Sequence, residues 1–143
     1  MKFGSLALMQ SPNGKKFKEV YDETIEQIIF GDELGFDCVW LTEHHFSPDH
    51  NRDDLGGEYG ISSSPLTFGA YLAGVTKRIR IGQAVNLLPL LDPIRVAEDT
   101  AVLDIVSNGR LNFGVGLGYR AYQFESFGVP EEQKGERFEE ALE

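Results

Sequence analysis

The sequence predicts an α/β fold in which four parallel strands are joined by helical crossovers. Short, continuous apolar segments alternate with longer segments that carry apolar residues at helical spacing, a pattern typical of buried parallel strands covered by helices. The apolar segments begin near Lys2, Phe36, Arg78 and Leu111, and successive starts lie roughly 30 to 40 residues apart, the length of one βα unit. An open doubly wound sheet and a (β/α)8 barrel both satisfy this pattern.

The first two units are bounded by recognisable signals. A buried strand is predicted over residues 2–8, and a helix over Phe17–Leu34, with Gly35 at the position of a left-handed C-cap. A second apolar run over residues 36–41 predicts the next strand. The polar, glycine-rich residues 42–64 predict a loop.

The later units begin and end with proline, aspartate and glycine signals. Pro65 and Pro93 suit the first turn of a helix, Asp92 is a predicted N-cap, and Asn108 with Gly109 predicts a helix end. The remaining predicted elements are a helix over residues 65–74, a strand over 78–85, a helix over 94–106, a strand over 111–115 and a helix over 131–143.

Composition and charge exclude several classes of protein. The chain has 143 residues, 41% of them hydrophobic, and a net charge of −10. The hydrophobic fraction excludes general disorder, and the negative charge disfavours nucleic acids and anionic membranes as partners. No apolar run reaches the ~20 residues of a membrane helix, and the apolar stretch in residues 1–10 is too short for a signal peptide. Cys38 is a single cysteine, so no intramolecular disulfide can form, which fits a reducing compartment. We therefore expect a cytoplasmic protein.

Glu43, His44 and His45 directly follow the second predicted strand. In both candidate architectures the C-terminal strand ends face the active site, and histidine serves there as a base, an acid or a hydrogen-bond partner. If the two histidines have no functional role, we expect one to point into a helix interface and the other into solvent. Nearby acidic residues and His50 raise a metal alternative. Adjacent side chains of an extended segment point in opposite directions, and the spacing matches no compact zinc motif, so we predict no metal site.

A glycine-rich segment, GVGLG at residues 114–118, follows the fourth predicted strand. It does not match the dinucleotide-binding fingerprint, because Tyr119 occupies the third glycine position and the residues about twenty positions later are Lys134 and Gly135 rather than an acid. The segment therefore predicts either close approach of the backbone to a ligand or a plain turn. Asn86 closes the third strand, where its amide can orient a ligand or hold a loop.

Five separated motifs resemble those of the bacterial luciferase-like monooxygenases. They are MKFG at residues 1–4, GFDCVWLTEHHF at 35–46, AGVTKRIRIG at 73–82, LPLLDPIR at 88–95 and NGRLNFGVG at 108–116. Members of that family are (β/α)8 barrels that use reduced flavin mononucleotide (FMN) and oxygen to oxidise organic substrates. The resemblance, which runs from Met1 to Glu143, therefore implies the N-terminal half of such a barrel.

The resemblance also implies roles for individual residues. His44 is expected to lie beside the reactive carbon of the flavin ring as a base or hydrogen-bond partner, and Glu43 to support it. The implied cofactor-binding residues are Ala84, Val85, Asn86 and Gly116. The peptide bond between the first two of these is expected to be a non-prolyl cis bond under the flavin ring. A separate flavin reductase is expected to supply reduced FMN, and the resemblance allows a homo-oligomer.

The sequence departs from the family pattern where the flavin phosphate is bound. Many relatives carry an arginine at the position of Leu117, and a second phosphate-contacting arginine falls at about Gly135. Arg120, Lys134 and Arg137 are the nearby cations in this chain. Without the two arginines, phosphate binding is expected to be weaker, because charge-assisted contacts are the strong ones.

The length is a second departure, because a complete barrel takes about 250 residues. Residues 1–143 supply four strands, which cannot close a barrel and leave two unpaired edges. The chain is therefore expected to be a fragment, to assemble with a partner, or to form a half-barrel. Residues 48–57 resemble an insertion that serves as a lid or as tolerated surface.

The alternative functions are a non-catalytic half-barrel that binds a partner or itself, and a deazaflavin-dependent oxidoreductase.

Overall fold

The computed structural model describes residues 1–12, 15–46, 57–58 and 61–143. Strands and helices alternate along the chain, as predicted. In order they are β1 (Gly4–Ala7), β2 (Ser11–Pro12), α1 (Phe17–Leu34), β3 (Cys38–Leu41), β4 (Gly57–Glu58), α2 (Pro65–Val75), β5 (Arg80–Gln83), β6 (Asn86–Leu87), α3 (Pro93–Val106), β7 (Leu111–Asn112), β8 (Val115–Gly116), α4 (Ala121–Phe127) and α5 (Lys134–Glu140). Short 3₁₀ turns cover Leu88–Leu90 and Glu131–Gln133.

A four-stranded parallel sheet forms the centre of the fold. Its strand order is β1-β3-β5-β7, with α1, α2 and α3 as the crossovers, which confirms the predicted α/β architecture. Val39, Ile81 and Leu111 are in register across three strands, and Trp40 is in register with Gly82. Because side chains alternate along a strand, these two sets of residues lie on opposite faces of the sheet.

One face of the sheet and the three crossover helices enclose the main core. Its strand residues pack against one or more buried side chains from each helix. Burial of one such Leu or Ile side chain contributes about 1.5–3 kcal/mol to the stability of the fold. The buried members are Ile28, Val39, Leu41, Leu72, Ala73, Ile79, Ile81 and Leu103. This core fixes the helices against the sheet and therefore fixes the ends of the strands in space.

The opposite face of the sheet carries polar and aromatic residues. Arg80 donates from Nε to Asn112 Oδ1 at 2.7 Å, and Asn112 donates to Cys38 Sγ at 3.4 Å. Cys38 is buried. Trp40 lies on this face and is only partly buried, because it packs flat over Gly82 rather than in the core against the helices.

Several element boundaries agree with the predictions. Helix α1 has the predicted bounds and ends at Gly35, which adopts the left-handed conformation with φ of 85°. Asp92 caps α3, because its Oδ1 accepts a hydrogen bond from the backbone N–H of Arg95 at 2.9 Å, and Pro93 is the first helical residue. Asn108 and Gly109, both with positive φ, follow the end of α3.

Other boundaries differ from the predictions. The predicted strand over residues 78–85 is divided into β5 and β6, and the strand over 111–115 is divided into β7 and β8, because β6 and β8 leave the sheet and pair with each other. Helix α4 was not predicted, since it has seven residues and buries only Gln123 and Phe124. The last helix begins at Lys134, after a 3₁₀ turn, rather than at Glu131.

The predicted loop over residues 42–64 contains one short strand. Within it, β4 pairs antiparallel with β2, aligning Gly57 with Pro12. The rest of the expected insertion at 48–57 lies outside the described residues.

On the edge strand β1, Leu6 is exposed. Among the described residues, every helix falls short of the length and apolarity that crossing a membrane requires.

Candidate active site

The residues singled out from the sequence meet at the C-terminal ends of the sheet strands. Glu43, His44 and His45 follow β3, and Asn86 follows β5 after a two-residue connection. Backbone bonds hold these ends together: Ala84 N–H donates to Leu41 O at 2.7 Å, and Asn86 N–H donates to Gly114 O at 2.8 Å. These residues from different βα units are therefore brought together at one edge of the sheet.

Glu43 is buried and links two strand ends. One carboxylate oxygen, Oε2, accepts hydrogen bonds from Asn86 Nδ2 at 2.6 Å and from the Leu87 backbone N–H at 2.9 Å. The other oxygen lies 2.6 Å from His45 Nε2. The side chains of Glu43 and His45 are 2% and 9% exposed, so the pair is shielded from solvent. Glu43 thus ties the segment after β3 to the start of β6.

His45 is held on three sides. Its ring packs edge-on against Phe127 of α4, with centroids 4.8 Å apart, and its backbone carbonyl accepts a hydrogen bond from Gln123 Nε2 at 3.2 Å. Helix α4 therefore fixes the backbone next to His44. Sequence reasoning missed Gln123, which is 78 positions from His45. A polar residue beside a buried aromatic in a short helix is a weak signal for such a contact.

His44 differs from His45 in its surroundings, as expected for neighbours on an extended segment. It is only partly buried, and its backbone N–H donates to Ser62 O at 3.0 Å, while Ser62 donates through its hydroxyl to Thr42 O. Burial lowers the pKa of His44, and electrostatic interactions with Arg120 and His45 lower that pKa further, against an opposing effect of Glu43. The imidazole is therefore biased towards its neutral form, in which it accepts a proton or a hydrogen bond.

The connection between β5 and β6 contains a cis peptide bond. It joins Ala84 to Val85, as the family resemblance implied. The Val85 side chain is partly exposed and lies over Gly116, where an added Cβ would approach Val85 Cγ2 to 2.5 Å. A side chain at position 116 would therefore displace the Val85 side chain, and with glycine there the two residues pack against each other at the strand ends.

Three buried polar atoms near these residues have no hydrogen-bond partner among the described residues. They are both side-chain amide atoms of Gln83 and the Oδ1 atom of Asn86. Gln83 is fully buried at the end of β5. Such atoms are uncommon, because burying a polar group without a partner is costly. Asn86 also binds Glu43 through its Nδ2 atom, so its unpaired oxygen lies at the same strand ends as the acidic residue.

Leu117 and Gly135 stand where the family resemblance implied two arginines. These two residues line a cavity of about 560 Å³ with Glu131, Glu132 and Lys134. Lys134 Nζ already binds Glu131 Oε1 at 3.0 Å. The cavity therefore offers carboxylates and one paired ammonium group rather than two guanidinium groups.

The other two nearby cations also have defined contacts. Arg137 donates from Nε to Pro89 O at 2.8 Å, which anchors α5 to the 3₁₀ turn before α3. Arg120 donates to the hydroxyl oxygens of Tyr119 and Tyr122, both at 3.2 Å, and its charge acts on His44.

The metal alternative concerns residues on both sides of the boundary of the described segment that ends at Phe46. Within residues 1–12, 15–46, 57–58 and 61–143, no three His, Cys, Asp or Glu side chains are grouped as metal ligands. His50 and the neighbouring acids that prompted the alternative lie outside the described residues.

Comparison with known sequences places the chain in one family. The family model for luciferase-like monooxygenases matches residues 1–143. The alkanal monooxygenase alpha chain of Photorhabdus laumondii is 37% identical over 129 residues, which are 90% of this chain and 33% of that protein. The oxygenase component of the flavin-dependent trigonelline monooxygenase of Acinetobacter baylyi is 32% identical over 127 residues, which are 87% of this chain and 32% of that protein. The chain spans about a third of the length of these relatives.

Solved structures share the fold. Monooxygenase RslO1 from Streptomyces bottropensis has a TM-score of 0.87 and 31% identity, and the match covers 99% of this chain and 41% of that one. The oxygenating constituent of 3,6-diketocamphane monooxygenase of Pseudomonas putida, solved with FMN, has a TM-score of 0.82 and 21% identity, covering 99% and 37%. A coenzyme F420-dependent tetrahydromethanopterin reductase from Methanopyrus kandleri has a TM-score of 0.62 and 22% identity, covering 90% and 30%. The last two likenesses concern the fold alone. With four parallel strands arranged as a partial barrel and a matching family model over its whole length, the chain belongs to the luciferase-like monooxygenase family.

Proposed function

We propose that the chain supplies the first half of the barrel of a flavin-dependent monooxygenase that uses reduced FMN and oxygen to oxidise a small organic substrate. The observation that carries this proposal is the hydrogen-bonded group of Glu43, His45 and Asn86 beside the cis bond between Ala84 and Val85. It joins two strand ends at the edge where barrel enzymes carry their active sites. In this proposal, residues 1–143 are a partial barrel domain.

His44 is the proposed catalytic residue. Its lowered pKa favours the neutral imidazole near pH 7, which can accept a proton or a hydrogen bond from a reacting group. Glu43 is the proposed positioning residue. Because its carboxylate is occupied by Asn86, Leu87 and His45, it sets the distance between the two strand ends and holds the backbone that bears His44.

The proposed flavin surface consists of Ala84, Val85, Asn86 and Gly116. Two observations fit a planar ring system there: the partly exposed Val85 over Gly116, and the buried Oδ1 of Asn86, which has no partner among the described residues and can accept from a ring N–H. When bound, reduced flavin supplies the electrons that activate oxygen. The chain's own residues hold the ring, exclude water and handle protons at His44.

The residues at the expected phosphate position suit a bound flavin less well than the residues at the expected ring position. Leu117 and Gly135 stand where many relatives have arginines, and the cavity beside them is lined by Glu131 and Glu132, with Lys134 already paired. Two carboxylates repel a phosphate dianion at short range. We therefore propose that these described residues do not bind the phosphate and that the chain recognises the flavin mainly through its ring.

The proposed partners follow from the relatives. One of them is named as the oxygenase component of a flavin-dependent monooxygenase, which supports a separate reductase as the source of reduced FMN. The proposed location is the cytoplasm, in keeping with a single, buried cysteine. The proposal also includes self-association.

The proposed function is tested by replacing His44 and, as a control, the exposed residue Glu26. FMN and coenzyme F420 are titrated against the parent chain, His44→Ala and Glu26→Gln, an exposed control on α1, with flavin fluorescence as the signal. The rate at which oxygen consumes reduced FMN is then measured, with and without a polypeptide that supplies the remaining βα units. We expect FMN binding in all three proteins and an altered rate in His44→Ala alone.

The alternative outcomes are distinct. Binding of F420 in preference to FMN would support the deazaflavin-dependent oxidoreductase. If neither cofactor binds and no oxidation of reduced FMN occurs with the complementing half supplied, the chain is a non-catalytic half-barrel. Equal losses of thermal stability and activity in His44→Ala would make His44 a structural residue.

A further inference from the structure

The side of the four-stranded sheet that faces away from the three crossover helices carries a positive charge and no acid. We call this side the inner face. Because side chains alternate along the strands, it consists of Gly4 and Leu6 of β1, Cys38 and Trp40 of β3, Arg80 and Gly82 of β5, and Asn112 of β7. Arg80 is the charged residue among them, so these strands place a guanidinium group on the inner face without placing a carboxylate there.

Hydrogen bonds direct the Arg80 side chain across the edge strand β7. Its Nε donates to Asn112 Oδ1 at 2.7 Å, its Nη2 to Leu111 O at 2.7 Å and its Nη1 to Gly109 O at 3.1 Å. These acceptors lie in β7 or just before it, and β7 is the last strand in the order β1-β3-β5-β7. The guanidinium group, which originates on β5, is therefore held at the open edge of the sheet.

These contacts do not compensate the positive charge of Arg80. Its acceptors are neutral oxygens, and within the described part of the chain its guanidinium group forms no ion pair with a carboxylate. The carboxylate of Asp37 accepts a hydrogen bond from the Phe3 backbone N–H at 2.6 Å, which places it beside the other edge strand, β1. Arginine does not lose its proton in proteins, so the charge persists.

The cavity in front of the inner face is positively charged. It has a volume of about 710 Å³, and its described lining contains the four cations Lys2, Arg78, Arg80 and Arg110 and one acid, Asp37. The chain as a whole has a net charge of −10, so this excess of cations is local. A cavity of one sign attracts groups of the opposite sign. The polypeptide that covers the inner face is therefore expected to be acidic where it meets the cavity.

Closing the barrel would enclose Arg80. Inward-pointing side chains of a closed barrel pack together as its interior, and an enclosed charge without a partner is costly. A carboxylate matches the guanidinium fork with two parallel hydrogen bonds. The strands β1, β3, β5 and β7 do not supply one to Arg80, so the strand that pairs with β7 has to bring it.

We propose that the strand of the complementing barrel half that pairs with β7 carries an acidic residue at its N-terminal end, and that its carboxylate forms an enclosed ion pair with Arg80. The N-terminal end is specified because Arg80 is the first residue of β5 and its acceptor Gly109 precedes β7, and parallel neighbours align their ends. This inference rests on the partial barrel of the proposed function, but it does not depend on flavin binding or on oxygen chemistry.

The experiment measures association with the part of monooxygenase RslO1 that lies outside its match to this chain, used as the source of the remaining βα units. Isothermal titration calorimetry without flavin gives the dissociation constant, and circular dichroism checks the fold. Arg80→Gln is compared with Lys18→Gln, a control that removes one positive charge from a side chain that is 79% exposed on α1. We expect Arg80→Gln to raise the dissociation constant at least about 30-fold, because a carboxylate is left enclosed without its partner, and Lys18→Gln to change it less than about threefold. Arg80→Lys keeps the charge without the fork and should lie between the parent and Arg80→Gln.

The acidic partner is then located on the RslO1 polypeptide. Each acidic residue of its first strand is replaced by the corresponding amide. One of these substitutions is expected to weaken association by a factor similar to that of Arg80→Gln. Combining the two should weaken association no further, because both remove the same ion pair.

The results that overturn the inference are separable from those that overturn the proposed function. A folded Arg80→Gln chain that binds the RslO1 polypeptide as tightly as the parent does would overturn the ion pair and leave the partial barrel intact. The same conclusion would follow if no acidic residue of that strand were coupled to Arg80. A parent chain that does not bind the polypeptide would overturn the ion pair together with the partial barrel.

Discussion

Replacing Glu43 probes the site through its hydrogen bonds. In Glu43→Leu, the Asn86 side-chain amide and the Leu87 backbone N–H lose the acceptor that lies 2.6 and 2.9 Å away, and both donors remain buried. His45 loses its partner too, but it can carry its proton on the other ring nitrogen. Two obligatory donors are therefore left without an acceptor.

The expected cost follows from these two donors. A buried donor without a partner costs about 1–3 kcal/mol, so Glu43→Leu is expected to lower the free energy of unfolding by about 2–6 kcal/mol. Glu43→Gln retains an oxygen for Asn86 and Leu87 and loses only the charge, which gives an expected cost of about 1–2 kcal/mol. A domain is stable by about 5–15 kcal/mol in total, so the difference between the two variants is large enough to measure.

Urea unfolding followed by fluorescence of Trp40, the single tryptophan, provides the measurement. The expected order of stability is parent, Glu43→Gln, Glu43→Leu. Removing a buried carboxylate also recovers the cost of its desolvation, which works in the opposite direction. If Glu43→Leu proved as stable as Glu43→Gln or more so, desolvation would dominate, and the view of Glu43 as the link between two strand ends would be refuted.

Two further predictions concern protonation and packing. Folding lowers the pKa of His44, so the unfolded chain binds its proton more readily, and the free energy of unfolding is expected to fall as pH decreases from 7 through about 6.5. The pH profile of His44→Gln should be flatter in this range, and identical profiles would contradict the prediction. Gly82→Ala places a Cβ 2.3 Å from the Trp40 ring and is expected to cost about 1–3 kcal/mol. Gly74→Ala, at an open helical position, should instead stabilise by about 0.5–1 kcal/mol in thermal unfolding.

The sequence was sufficient to predict the sheet because its local signals agree with one another. The apolar runs are short and continuous, and the helices between them start and end at residues with defined conformations, such as Asp92 and Gly35. The divisions within the strands were not predicted. The apolar pattern continues from β5 through Val85, but the chain changes direction at the cis bond, and β6 then pairs with β8. Periodicity does not report such a change of direction.

The position of the site could be predicted, but its contacts could not. Glu43, His44 and His45 follow a buried strand, and strand alternation alone implies that the two histidines have different environments. Which histidine binds Glu43 depends on Asn86 and Gln123, which belong to two other βα units. Asn86 lies 43 positions from its partner Glu43, and Gln123 lies 78 positions from its partner His45.

Those distant contacts suggest why the site is built in this way. Backbone hydrogen bonds already join the strand ends, from Ala84 N–H to Leu41 O and from Asn86 N–H to Gly114 O. Buried side chains add links beyond those of the sheet itself. Glu43 supplies such a link between β3 and β6, and Gln123 supplies a second from α4 to the carbonyl of His45. His44 contributes to neither of these bonds, yet it is connected through the backbone to both Glu43 and His45. The neighbours on either side are held by buried hydrogen bonds, so the backbone that bears the partly buried imidazole is fixed from both sides.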